Sequence, residues 1–254
     1  KQLIELTNIK FSIKYIETYI CPIFEYIISS KKKKFLISGS QGIGKSTLLY
    51  ILEKNLKIIY NKEILSLSLD DYYLTKKQRV SLSKKIHPLL ITRGVPGTHD
   101  IKKLLKHVRC FERSIYPINI PIFDKLNDDR LTKVKKIKAK ADILILEGWC
   151  CASPAVPNSF LKKNINQIEK IFDRDLRWRN YYNHQLQNQY ARLFKKFEKV
   201  IYLKVPSFSY IQNWRLKQEK KLWLKSKNKL GGQNKIPRLS NNRTFIDDLL
   251  LLNV

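Results

Sequence analysis

The run Gly39-Ser40-Gln41-Gly42-Ile43-Gly44-Lys45-Ser46 places glycines, a lysine and a hydroxyl at the spacing G-x-x-x-x-G-K-[ST], followed by Thr47. Glycines let the backbone wrap so that its N–H groups face a phosphate at the positive end of the following helix. In such a loop Lys45 is expected to reach the β- and γ-phosphate oxygens, and the Ser46 hydroxyl to ligate Mg²⁺. Two acidic sites add a reaction to this binding. Asp70 and Asp71 end the apolar run ILSLSL, and Glu147 ends DILIL. A carboxylate beside a nucleotide can hold the water shell of Mg²⁺, and another can accept the proton of an attacking hydroxyl. Acidic residues at such turns also serve as ordinary helix caps. Beside a P-loop they point instead to phosphoryl transfer from ATP, with Lys45, Asp70 and Glu147 catalytic and Ser46 and Glu147 on the metal.

These groups must be brought to one place by strands that end together. Phe35–Ser38 reads as a buried strand running into the Gly-rich turn, and a helix begins at Lys45. Ile64–Leu69, Asp142–Leu146 and Val200–Val205 read as further strands, and Ile115–Phe123 as an edge strand because of Pro117 and Pro121. Residues 11–29 have helical spacing, as two short helices or one kinked at Pro22. Residues 86–98 are loop, Asp100 caps a helix over Ile101–Val108, and a long helical region covers about 164–196. Strands alternating with helices predict an α/β fold of the P-loop NTPase kind, a parallel sheet sandwiched by α-helices. Ligands gather at the carboxyl ends of such strands. The expected organisation is a single domain over 1–254, with a helical extension at 1–33, a lid-region helix at 206–225 and an atypical tail at 226–254.

Composition narrows the partners. At 254 residues and 43% hydrophobic the chain can bury one full α/β core. No apolar run is long enough for a membrane span, and no signal peptide is visible. With no Met in the chain, Lys1 is not read as a translational start. Cys21, Cys110, Cys150 and Cys151 form no C-x-x-C pair, and neither they nor the four histidines have zinc-ligand spacing. Reduced thiols and a cytoplasmic location are expected, or an organelle if a transit peptide has been removed. The net charge of +29 is mostly lysine spread along the chain. Without an arginine–aromatic platform it does not make nucleic acid an expected partner, although such a field would steer anionic substrates. Nothing in the sequence fixes the oligomeric state.

Taken together, Ser38 to Thr47 and Ser68-Leu69-Asp70-Asp71-Tyr72-Tyr73-Leu74-Thr75 resemble the P-loop and base segments of the uridine kinase, phosphoribulokinase and pantothenate kinase superfamily. Arg93-Gly94-Val95-Pro96-Gly97-Thr98-His99-Asp100, Phe123-Asp124-Lys125 with Asp129-Arg130, Ile145-Leu146-Glu147-Gly148-Trp149, and Trp214-Arg215 with Gln218-Glu219 resemble the D-glycerate 3-kinase family within it. The resemblance runs from roughly 35 to 225. It implies ATP and D-glycerate as substrates, Asp70 as general base, and Arg215 as a lid arginine that stabilises charge in the transition state. It also places Asp71, Tyr73, Arg93, Thr98, His99, Asp100, Lys125 and Arg130 on the acceptor side. Beyond about residue 225 the family pattern is lost in a Lys/Asn/Gly-rich segment. Two other readings stay open: a kinase for a nucleoside or sugar phosphate, since Tyr72, Tyr73 and Tyr116 could line a larger pocket, and a nucleotide-binding protein without catalysis.

Overall fold

The computed structural model describes residues 11–205 together with 207, 209–211 and 214. Arg215, most of the expected lid helix and the tail at 226–254 lie outside the described residues.

Four strands form one parallel sheet: β1 (Lys34–Gly39), β2 (Ile64–Ser68), β5 (Ile143–Gly148) and β6 (Lys199–Leu203), in the order β2-β5-β1-β6. Strand side chains alternate, and because both faces of this sheet are covered both sets are largely apolar, Ser66 and Ser68 of β2 being exceptions. Phe35, Ile37, Ile143 and Ile145 pack on one face against Ile27 of α1 (Cys21–Ser29) and Leu48, Leu52 and Leu56 of α2 (Lys45–Tyr60). Leu36, Leu144, Leu146, Leu65 and Leu67 pack on the other against Leu104 and Val108 of α4 (Ile101–Glu112) and against Tyr190 and Leu193. Among the described residues no helix is long and apolar enough to cross a membrane, and all four cysteines are free.

Residues 13–29 form one helical run rather than two helices, with Ser12 as its N-cap. A π-helical turn, Ile16–Ile20, precedes Pro22, so the residue that has no N–H for the ladder falls where the π-helical turn passes into α1. The long helical region is interrupted. It resolves into α6 (Gln167–Phe172), α7 (Arg177–Gln185), a π-helical turn Leu186–Tyr190, and α8 (Ala191–Phe194), and is preceded by α5 (Asn158–Leu161), a short helix outside the expected range. The break between α6 and α7 comes from Asp173, whose carboxylate accepts from the backbone N–H groups of Trp178 (2.8 Å) and Arg179 (3.1 Å) and so starts a new helix.

Two further elements were not anticipated from the sequence. One is α3 (Lys76–Lys85), begun by a capping box in which Thr75 and Gln78 satisfy each other's backbone N–H groups. The other is β4 (Asp129–Ile137), which pairs antiparallel with β3 (Ile118–Asp124) in a hairpin separate from the main sheet. The proline-bearing strand is thus an edge strand as expected, but of this two-stranded hairpin and not of the parallel sheet.

Candidate active site

Sheet register builds the acidic centre. In the ladder Glu147 stands opposite Ser68 on β2 and Ile37 on β1, so the ends of three strands and the turn into α2 converge. The Glu147 Oε1 atom accepts from Ser46 Oγ at 3.0 Å and from Ser68 Oγ at 2.6 Å. Burial pushes its carboxyl above the ordinary range, and the neighbouring Asp70 charge adds to that push, against the two hydroxyls and Lys45. The Lys45 ammonium, itself buried, donates to the Gly39 and Ser40 carbonyls at 2.8 Å each. Gly39 is required here by space as well as conformation: with φ 147°, a Cβ on it would lie 2.7 Å from the Leu203 carbonyl oxygen of β6.

Asp70 and Asp71 lie in a 3₁₀ turn, Leu69–Tyr72, directly after β2. Asp70 is paired with Lys125 of the β3–β4 connection at 2.7 Å. Burial acts to raise its carboxyl, but the Lys125 charge and hydrogen bond, with His99 and Lys45 behind them, hold it below the usual carboxylate range. Asp71 is treated oppositely. Burial raises it to about 6, assisted by the Asp70 and Glu147 charges and opposed by the N–H of Phe123, which donates to it at 3.3 Å. A carboxyl that holds its proton more tightly when folded stabilises the fold most at low pH and loses that contribution as pH rises from about 4 to about 6. Replacing Asp71 with Asn should therefore flatten the stability profile across that window; denaturant melts of both proteins at a series of pH values check this. An unchanged slope would show that Asp71 titrates normally.

The expected acceptor-side residues fall into two groups. Backbone bonds join residues 72–74 to 98–100: Leu74 N–H donates to the Thr98 carbonyl (2.8 Å) and Asp100 N–H to the Tyr72 carbonyl (2.7 Å), with a bridge between Tyr73 and His99. His99 is thereby stacked on Tyr73, ring centroids 4.2 Å apart, within electrostatic range of Asp70. Thr98, Asp100 and Arg130 serve this junction itself. Thr98 Oγ1 donates to the Val95 carbonyl at 2.7 Å, and Asp100 caps α4 through Lys103 N–H at 3.0 Å. Arg130 donates to the Tyr73 carbonyl (2.6 Å), the Tyr72 carbonyl (3.0 Å) and Asp100 (3.2 Å), tying the hairpin to the acidic turn. Arg93 pairs with Asp128 and lies 5.4 Å over the Phe123 ring.

A cavity of about 570 Å³ opens between α2, the acidic strand ends and the hairpin. Ser46, Asp70, Asp71, Lys125 and Glu147 all line it, whereas Arg93, Thr98, His99 and Arg130 do not. Residues that sequence reasoning missed complete the site. Ser66 and Ser68 also line the cavity, and the two-residue strand period that places them on one face of β2, just before Asp70, was a readable signal. Arg79, fully buried, holds the Leu74 and Ile91 carbonyls and Asp128 at once; nothing in the local spacing announces those partners.

A Gly-rich loop between a parallel strand and a helix, with its lysine buried against the loop and a strand-end carboxylate bonded to the loop serine, defines a P-loop kinase. No protein-family model matches the sequence. The uncharacterized kinase mug58 of Schizosaccharomyces pombe is 32% identical over 199 residues, covering 72% of this chain and 68% of that protein. The probable ATP-dependent kinase TDA10 of Saccharomyces cerevisiae is 33% identical over 195 residues, covering 68% and 67%. Among solved structures, D-glycerate 3-kinase from Cryptococcus neoformans superposes with a TM-score of 0.68 at 25% identity, covering 88% of this chain and 83% of that one. The chain belongs to the P-loop kinase family of mug58 and TDA10, and it is similar to D-glycerate 3-kinase and, over 112 residues, to the pantothenate kinase of Bacillus subtilis.

Proposed function

We propose that the chain transfers the γ-phosphoryl group of ATP to a hydroxyl of D-glycerate, giving ADP and 3-phosphoglycerate, with Asp70 as general base. The carrying observation is that Asp70, Glu147, Lys125 and Ser46, the last residue of the P-loop motif, line one cavity. The acceptor oxygen attacks the γ-phosphorus, the bond to the ADP oxygen breaks with its electron pair, and the hydroxyl proton passes to the Asp70 carboxylate. Lys45 supplies positive charge where the transferring group spreads its negative charge. Lys125, already on Asp70, is the cation placed to meet a carboxylate on the acceptor. Ser46 and Glu147 would hold Mg²⁺; their donors, with the neighbouring Ser66 and Ser68, are all oxygens, which suits a hard cation. When bound, Mg²⁺ neutralises phosphate charge.

Lys133 and Lys135, both exposed, line the same cavity, and this favours a phosphorylated acceptor as the second reading. A coupled ADP-release assay with D-glycerate, uridine, ribulose 5-phosphate and pantothenate separates the two. The highest kcat/KM is expected with D-glycerate; a clear preference for any other member of the panel overturns the assignment.

A further inference from the structure

Residues 125–128 join β3 to β4 and carry Lys125 to Asp70. An ion pair between side chains 47% and 33% exposed, one of them on a long flexible stem, stabilises little by itself and cannot fix a loop. The connection is first closed from within. Asp124 accepts from the N–H of Leu126 at 2.9 Å and from the side-chain amide of Asn127 at 2.6 Å. Its far end is then tied to the body of the protein by Asp128. One carboxylate oxygen of Asp128 pairs with Arg93 and the other with Arg79 at 2.9 Å. The Asp128 carbonyl accepts from the same Arg79 nitrogen at 2.5 Å. Charge-assisted bonds of this kind are the strong ones, and Arg79 is a fixed post: it is fully buried and also held by the Leu74 and Ile91 carbonyls. The two guanidinium groups also lie 5.9 and 5.4 Å from the Phe123 ring, at the other end of the connection. Asp128 itself has a backbone φ of 54°, a region that aspartate and asparagine enter more readily than most side chains.

We propose that Asp128 is a positioning residue: by bridging Arg79 and Arg93 it anchors the β3–β4 connection so that Lys125 stays on Asp70. Asp128 does not line the cavity, and its effect passes along the short connection to Lys125, which does. Arg93, expected on the acceptor side, serves this anchor. The anchor stands on the contacts alone. Its effect on the reaction rests on the reading that Lys125 meets a carboxylate of the acceptor.

Two measurements test it. Lysine acetylation with acetic anhydride, followed peptide by peptide by mass spectrometry, reports how readily Lys125 leaves Asp70. Lys34 of β1, paired with Glu112 at 2.8 Å, is the reference for general loosening of the fold. Asp128→Asn should raise the Lys125 rate about tenfold relative to that of Lys34, the order expected when a charge-assisted bond is lost. Arg93→Gln leaves Asp128 its pair with Arg79 and should give a rise in the same direction, which keeps the test open if Asp128→Asn fails to fold. An unchanged Lys125 rate, or an equal rise at Lys34, overturns the proposal. In kinetics, Asp128→Asn should lower kcat/KM about tenfold for whichever acceptor of the panel the wild type prefers, with the ATP KM unchanged, again the size of one such bond. In a Lys125→Met background it should have no further effect. The same loss in that background would mean that Asp128 acts through another group, and overturns the proposal. Faster acetylation of Lys125 with unchanged kinetics supports the anchor and overturns instead the placement of Lys125 on the acceptor, so the two failures give different results.

Discussion

Replacing Asp70 with Asn is expected to lower kcat by about two to four orders of magnitude while the KM for ATP stays within about threefold, the pattern of losing proton acceptance in the transition state alone. The substitution is nearly isosteric, and the amide oxygen can still accept from Lys125, so the 2.7 Å contact that holds the β3–β4 connection over the site is retained. Steady-state kinetics with both substrates varied check the split. The choice between the adjacent carboxylates is physical. Asp70 sits beside Lys125 and below its ordinary range, so at neutral pH it is ionised, with Lys125 on one carboxylate oxygen and the other left to take the proton. Asp71, lifted to about 6 by burial, spends its oxygen on the Phe123 N–H and shapes the turn. If Asp70→Asn kept its rate and Asp71→Asn lost it, the base would be Asp71, and the acid limb of kcat should then lie near pH 6.

How much of this was legible depends on whether partners lie close in sequence. The P-loop was, because its chemistry is contiguous and is framed by a strand and a helix whose patterns are plain. Glu147 was legible as the end of an all-apolar strand, the signature of burial on both faces. The β3–β4 hairpin was not. Asp129–Ile137 has no buried position, so it shows neither alternation nor an apolar run, and only pairing with β3 makes it a strand. Helix α3 also lacks a strong apolar stripe, and its one readable mark was the Thr75–Gln78 capping box. The division of the acceptor-side residues between Asp70's surroundings and the brace of Arg130, Asp100 and Thr98 could not have been read locally. It depends on pairs such as Arg93 with Asp128 and His99 with Tyr190, which only the folded topology brings together.

Lys45→Ala carries the largest expected effect, a loss of about a thousandfold or more in kcat, since it removes the one cation the loop itself supplies to the transferring phosphoryl group. Stability should move the other way or not at all. Burial lowers the Lys45 ammonium below its ordinary range, with Glu147 and then Asp70 pulling it back, so the folded protein holds this charge at a cost that alanine removes. Against that gain stand its two bonds to the Gly39 and Ser40 carbonyls, which alanine leaves without the ammonium. A melting temperature equal to or above wild type, with activity nearly gone, would separate a catalytic lysine from a structural one. The variant also tests the electrostatics of its neighbours. Lys45 is among the charges that hold Asp70 down and that oppose the upward push on Glu147, so its removal raises both carboxyls. The acid limb of the residual activity should therefore shift to higher pH. A limb that stays in place would mean that Lys45 acts on the phosphoryl group alone, and that Lys125 by itself sets the ionisation of the base.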